Sequence, residues 1–87
     1  MTTFEIEHEW DPSNTNTVVE KVNQAIGIMK SGKGPAGFKP HVIYAVNGKT
    51  TARCVWEAPS AKALEGLFAQ LGVPTRRKIS EISVLYE

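Results

Sequence analysis

Seven residues near the start, Phe4-Glu5-Ile6-Glu7-His8-Glu9-Trp10, alternate without a break between rings or aliphatic groups and carboxylates. Successive side chains of a strand point to opposite faces, so this run predicts a strand with one face buried and the other wet. Such a strand needs partners on its edges and a covering layer on its apolar face. With 87 residues in all, there is room for one core only, and the expectation is a single domain over residues 1–87.

The rest of the chain supplies those partners in a definite order. Asp11-Pro12-Ser13-Asn14 ends the first strand, because proline fixes its own backbone and the polar residues favour turns. Thr17 and Glu20 have capping-box spacing, and Val18, Val19, Val22, Ile26 and Met29 then recur at helical spacing. A glycine-rich stretch from Lys30 to Gly37 breaks the helix. Phe38 to Val46 predicts a second strand, Asn47-Gly48 a hairpin turn, and about Lys49 to Glu57 the returning strand. Pro59-Ser60 opens a second helix carrying Leu64, Leu67, Phe68 and Leu71, which Gly72 and Pro74 close. A last strand is expected from Ile79 to Tyr86.

Strand, helix, strand, strand, helix, strand is the ferredoxin-like order. The fold class is therefore α+β, a four-stranded antiparallel sheet with both helices on one face and the first and third strands in the middle. Phe4, Ile6 and His8 face the helices. In the hairpin the wholly apolar set, Val42, Tyr44, Val46, Ala52, Cys54 and Trp56, suits the same side. The other face then shows Glu5, Glu7, His41, Ile43, Ala45, Arg53, Val55 and Glu57. Ile43, Ala45, Val55 and Leu85 would leave apolar area facing water, which a second copy of the same face would cover as a homodimer.

The segment Cys54-Val55-Trp56-Glu57-Ala58-Pro59-Ser60-Ala61-Lys62-Ala63-Leu64, with Leu71-Gly72-Val73-Pro74, is similar to the strand-to-helix turn and helix exit of a small barrel family that includes nickel-binding members. It also resembles the matching segment of muconolactone isomerases and antibiotic-biosynthesis-type monooxygenases. In element order nearly the whole chain looks like the dimeric α/β-barrel superfamily. That resemblance implies two ferredoxin-like subunits packed sheet against sheet. The nickel-binding relatives tend to carry a histidine in the second helix, where this chain has Leu67-Phe68, and no catalytic residue of the isomerases maps onto it.

Glu5, Glu7, His41, Ile43, Arg53, Val55 and Glu57 are the candidate ligand-binding residues of the bare face. Arg53 is placed to pair with Glu5 or Glu7. That group is either a cross-strand ion pair or a pocket whose carboxylate acts as a base after desolvation. His41 with Glu5 or Glu7 could supply metal ligands across a dimer, but His8 and His41 lie on opposite faces, and neither a resident metal nor a cofactor is expected. Tyr44, Trp56 and Tyr86 are core or the lining of a cavity. Cys54 is a small buried hydrophobe. The Lys30–Gly34 loop follows a helix instead of opening one, so it is no phosphate cradle.

Charge narrows the partners. Ten Lys and Arg against nine Asp and Glu leave a net of +1, and Arg76-Arg77-Lys78 lacks interleaved aromatics, so neither nucleic acid nor membrane is an expected partner. A single cysteine fits a reducing compartment, and the N-terminus has no signal-peptide pattern. The chain is expected to be cytoplasmic. Its expected role is binding a small molecule in or beside an inter-sheet cavity. The alternatives are a cofactor-free monooxygenase or isomerase, using Glu7 or His41 as base and Arg53 as anion anchor, or a metal (nickel)-binding protein.

Overall fold

The alternating N-terminal run forms β1, Thr2–Glu9, in a computed structural model that describes residues 2–87. Its buried positions are Phe4, Ile6 and His8, as the alternation predicts. β1 pairs antiparallel with β3 (Thr51–Ala58) on one side and β4 (Arg76–Glu81) on the other. β2 (Lys39–Ala45) lies outside β3, giving the order β2-β3-β1-β4. With α1 (Thr15–Lys30) between β1 and β2 and α2 (Ala61–Leu71) between β3 and β4, the architecture is the ferredoxin-like α+β fold. No helix among the described residues is long and apolar enough to cross a membrane.

Local chemistry sets where the helices start and stop. At α2 the Ser60 side chain accepts from the Ala63 amide at 3.0 Å, satisfying one of the free donors of the first turn. Its exit is a Schellman motif: Gly72 takes φ 72°, its amide reaches Ala69 and the Val73 amide reaches Phe68. α1 begins two residues before the expected Thr17 cap. Pro12–Asn14 form a short 3-10 turn that leads straight into it, so the capping box is not used. Instead, Thr15 Oγ1 donates to the Pro12 carbonyl and accepts from the Trp10 indole at 3.1 Å.

Packing against the sheet is unequal. Leu64, Leu67 and Phe68 of α2 join Phe4, Ile6, Cys54, Trp56, Ala58 and Val73 in one buried cluster. Phe68 meets Trp56 edge-on at 5.7 Å between ring centroids, a geometry that adds to the area term. From α1 only Val18 and Ala25 are buried. α2 anchors the core, and α1 lies on it more lightly.

Two expectations change. The first concerns β2. The register with β3 slips between Pro40 and Val42, so that Ile43 pairs with Cys54, and Val42 and Tyr44 pair with Val55 and Arg53. Ile43 therefore packs against the core from the helix side, sharing that face with Ala45, while Val42 and Tyr44 stand on the bare face about half exposed. The cause is a β-bulge: one extra residue on one strand turns every later side chain over. The second concerns the C-terminus. The ladder between β1 and β4 stops at the Phe4–Glu81 pair, and one further bond joins the Ile82 amide to the Thr3 carbonyl. Val84, Leu85 and Tyr86 lie beyond it and are exposed, so Leu85 is not a strand residue of the bare face and Tyr86 lines no core.

Candidate functional site

β1 and β3 hold the centre of the uncovered face in register. Glu5 pairs with Val55 and Glu7 with Arg53. Arg53 Nη2 donates to Glu7 Oε1 at 2.8 Å, and its Nη1 lies 3.7 Å from Glu5 Oε1. One guanidinium thus holds two carboxylates that would otherwise repel each other along the strand. All three side chains are at least a third open to water or nearly so, so as an isolated surface cluster it adds little to stability. It does fix the position of two acidic groups.

His41 is the residue that the bulge inserts, and the distortion aims its ring at β3. Its Nε2 lies 2.7 Å from Glu57 Oε2. Within one chain the partner of His41 is therefore Glu57, a pairing the sequence analysis did not name. The His41–Glu57 pair borders an open depression of about 880 Å³ that Thr3, Val42, Val55 and Val84 also line. At the other end of the face a second hollow, about 450 Å³, is walled by Glu7, Glu9, Arg53, Arg76 and Lys78. Val42, Tyr44 and Val55 run from the first hollow towards the second, an apolar lane with charged ends.

Six of the seven candidate residues (Glu5, Glu7, His41, Arg53, Val55 and Glu57) share this face, and Ile43 does not. Val42, Tyr44, Arg76 and Lys78 belong to it and were missed. Pro40 was the available signal for the first two, since proline inside a strand often marks a bulge. For the basic pair it was the alternation Arg76-Arg77-Lys78-Ile79. Arg76 reaches Glu9 and Asp11 at 3.5 and 3.3 Å, whereas Arg77 turns inward.

That inward turn builds a second polar cluster on the helix side. Arg77 makes a two-pronged bond to Glu65, with Nε–Oε2 at 2.7 Å and Nη2–Oε1 at 2.9 Å. It also donates to the Val73 carbonyl and Thr75 Oγ1, and stacks over Phe68. The bond to Arg77 holds the Glu65 carboxyl below the usual range. Thr75 Oγ1 in turn meets His8 Nδ1 at 2.8 Å, and His8 Nε2 meets Cys54 Sγ at 3.3 Å. Burial, with the Arg77 charge adding to it, pushes His8 down to about 4, so the ring is neutral near pH 7. Burial pushes the Cys54 thiol up to about 12. A thiol held that far from ionisation is no nucleophile, which agrees with the small-hydrophobe reading of Cys54.

Among the described residues no group of three or more His, Cys, Asp or Glu side chains converges as metal ligands would. No family model, no curated protein and no solved structure matches this chain.

Proposed function

We propose that the chain works as a homodimer in which two copies join their uncovered sheet faces and hold a small molecule in the space enclosed between them. The observation that carries this reading is the face itself. Val42 and Tyr44 are 47% and 48% exposed beside Val55 on a sheet side that no helix covers. Contiguous apolar area of this kind marks an interaction surface. A second copy covers it with one self-complementary patch. Charge favours that occupant. Glu5, Glu7 and Glu9 line β1, and Arg53, Arg76 and Lys78 stand on the flanking strands. Two identical faces bring opposite signs together. Closure would withdraw the Arg53 cluster and the His41–Glu57 pair from water, where their hydrogen bonds strengthen.

Light scattering on the purified protein and on Val55→Asp tests the assembly. The expected result is twice the 9.5 kDa chain mass for the parent and a folded monomer for the variant, because each copy would bury an unpaired carboxylate. A monomeric parent at micromolar concentration, or an unaffected Val55→Asp, contradicts the reading. Native mass spectrometry of the same dimer then looks for a small molecule retained in stoichiometric amount.

One observation favours a catalytic variant of this reading. His41 Nε2 is 2.7 Å from Glu57, an imidazole oriented by a carboxylate at the rim of the larger depression, which is the arrangement a general base needs. His41→Ala should abolish any turnover found in a substrate screen while leaving binding and dimer mass intact. Undiminished turnover in that variant removes the catalytic role.

A further inference from the structure

Among the described residues the most open apolar side chains follow β4. Leu85 and Tyr86 are 95% and 94% exposed, against 53% for Val19, the next of them. The segment that carries them is anchored at its start, where the Ile82 amide bonds to the Thr3 carbonyl at 3.0 Å. It then runs along the larger depression of the uncovered face, which Ser83, Val84 and Glu87 line, and bends at Leu85. Leu85 and Tyr86 touch almost nothing of their own protomer. Two large apolar side chains carried beside an interaction face gain free energy when a partner covers them.

Area favours a second copy as that partner. The sheet has four strands, the longest of eight residues. At about 3.3 Å per residue and about 4.8 Å between strands, such a face presents roughly 500 Å² in projection. A stable pair takes about 800 Å² of accessible surface from each partner. Side-chain relief narrows the difference, so the face alone sits near the lower bound of a stable dimer. One buried tyrosine adds about 150–250 Å², and Leu85 stands beside it.

Charge gives the orientation. The segment leaves the sheet at the end that carries His41 and Glu57. Arg76 and Lys78 of β4 stand at the opposite end, on the smaller hollow. Among the described residues neither Glu87 nor Lys78 has an ionic partner within its own protomer. A two-fold axis between the sheets and across the strands lays β4 on β4 with the ends reversed. Glu87 of each copy then approaches Lys78 of the partner subunit. An axis along the strands would keep like end over like end and leave the two groups far apart.

We propose that residues 83–87 form an arm that lies on the smaller hollow of a second copy. Leu85 and Tyr86 cover the aliphatic stems of Arg76 and Lys78, and Glu87 pairs with Lys78 of the partner subunit. Each hollow, with Glu7 and Arg53 in its wall, is thereby closed by residues of the other chain. The arm rests on the pairing of uncovered faces proposed above, and adds its orientation and the segment that completes the enclosed space.

Sedimentation equilibrium on the full chain and its variants tests the arm. Leu85→Ser combined with Tyr86→Ser should raise the dimer dissociation constant at least about tenfold, with the circular dichroism of the fold unchanged. Glu87→Lys and Lys78→Glu should each raise it about fivefold, since two such pairs are lost per dimer, and the two together in one chain should restore it. Mixing Lys78→Cys chains with Tyr86→Cys chains under mild oxidation should give a linked pair of one chain of each kind. Cys54, buried with its thiol pushed up to about 12, stays out of that exchange. A parent that is monomeric at micromolar concentration removes the face pairing and the arm with it. A parent dimer overturns the arm alone, and leaves the face pairing standing, in three cases: the Leu85 and Tyr86 changes do not weaken it, the double reversal is no better than either single one, or Tyr86→Cys chains link only to each other.

Discussion

Acidification should unfold this protein earlier than an ordinary domain of its size, and the cause should trace to His8. In the unfolded chain an imidazole titrates near 6.5; in the folded protein, burial and the Arg77 charge bring His8 down to about 4. The folded form therefore binds fewer protons than the unfolded form throughout that interval. Stability is full above about pH 6.5 and is lost as the pH falls towards 4. At about 1.4 kcal/mol per unit of difference, the loss reaches about 1.4 kcal/mol by pH 5.5 and about 3 kcal/mol at pH 4. Against the ~5–15 kcal/mol available to a typical domain, that is a large share. Urea titrations followed by the fluorescence of Trp10 and Trp56, both buried, measure it from pH 7.5 to 4. His8→Gln keeps a polar side chain for Thr75 but has no proton to gain, so its stability should be nearly flat over that interval. The Glu65 carboxyl, held low by Arg77, shifts in the same sense but in a lower window: its share is present above the usual carboxylate range and is lost as the pH falls below it. An equal slope in the parent and in His8→Gln, or a His8 ring that titrates near 6.5 in the folded protein, would refute the reasoning.

Four other outcomes follow from particular contacts. Arg77→Met keeps the stem over Phe68 but removes the charge, so the His8 ring should titrate higher than in the parent, as read from its NMR signals. Ser60→Ala deletes the α2 cap and should cost about 1 kcal/mol in urea unfolding. Gly72→Ala places a Cβ at φ 72° and should cost about 1 kcal/mol, with Gly72→Asn milder because asparagine tolerates that conformation. Ile43→Asp puts a charge against the core and should destabilise the protomer by more than about 2 kcal/mol, whereas Val42→Asp, across the sheet, should leave protomer stability nearly unchanged.

The element order was legible in the sequence because each boundary had a local chemical cause. Pro12 ends β1, Ser60 and Gly72 bracket α2, and Gly48 takes the positive φ of the hairpin turn. The faces of β1 and β3 were legible too, since both strands alternate cleanly and their register never slips. β2 was not. Val42 and Tyr44 look like core by composition, and a bulge at an edge strand moves them to water without altering the period of the pattern. His41 reached the expected face, but its partner, Glu57, depends on the same bulge. The Arg77–Glu65 bond and the His8–Thr75–Cys54 chain join residues far apart in sequence. Nothing in local spacing announces contacts of that kind. The C-terminal strand, expected from Ile79 to Tyr86, was placed too late because Ile82, Val84 and Leu85 have strand-like side chains, whereas the ladder runs from Arg76 to Glu81.

The pairing of two uncovered sheet faces is tested most directly by an isotope-filtered NOE experiment on a mixture of labelled and unlabelled chains. Contacts between the Val42 and Val55 methyls of one protomer and the Tyr44 ring of its partner are the expected result. Their absence, in a sample whose sedimentation gives the 9.5 kDa mass of one chain, would contradict it.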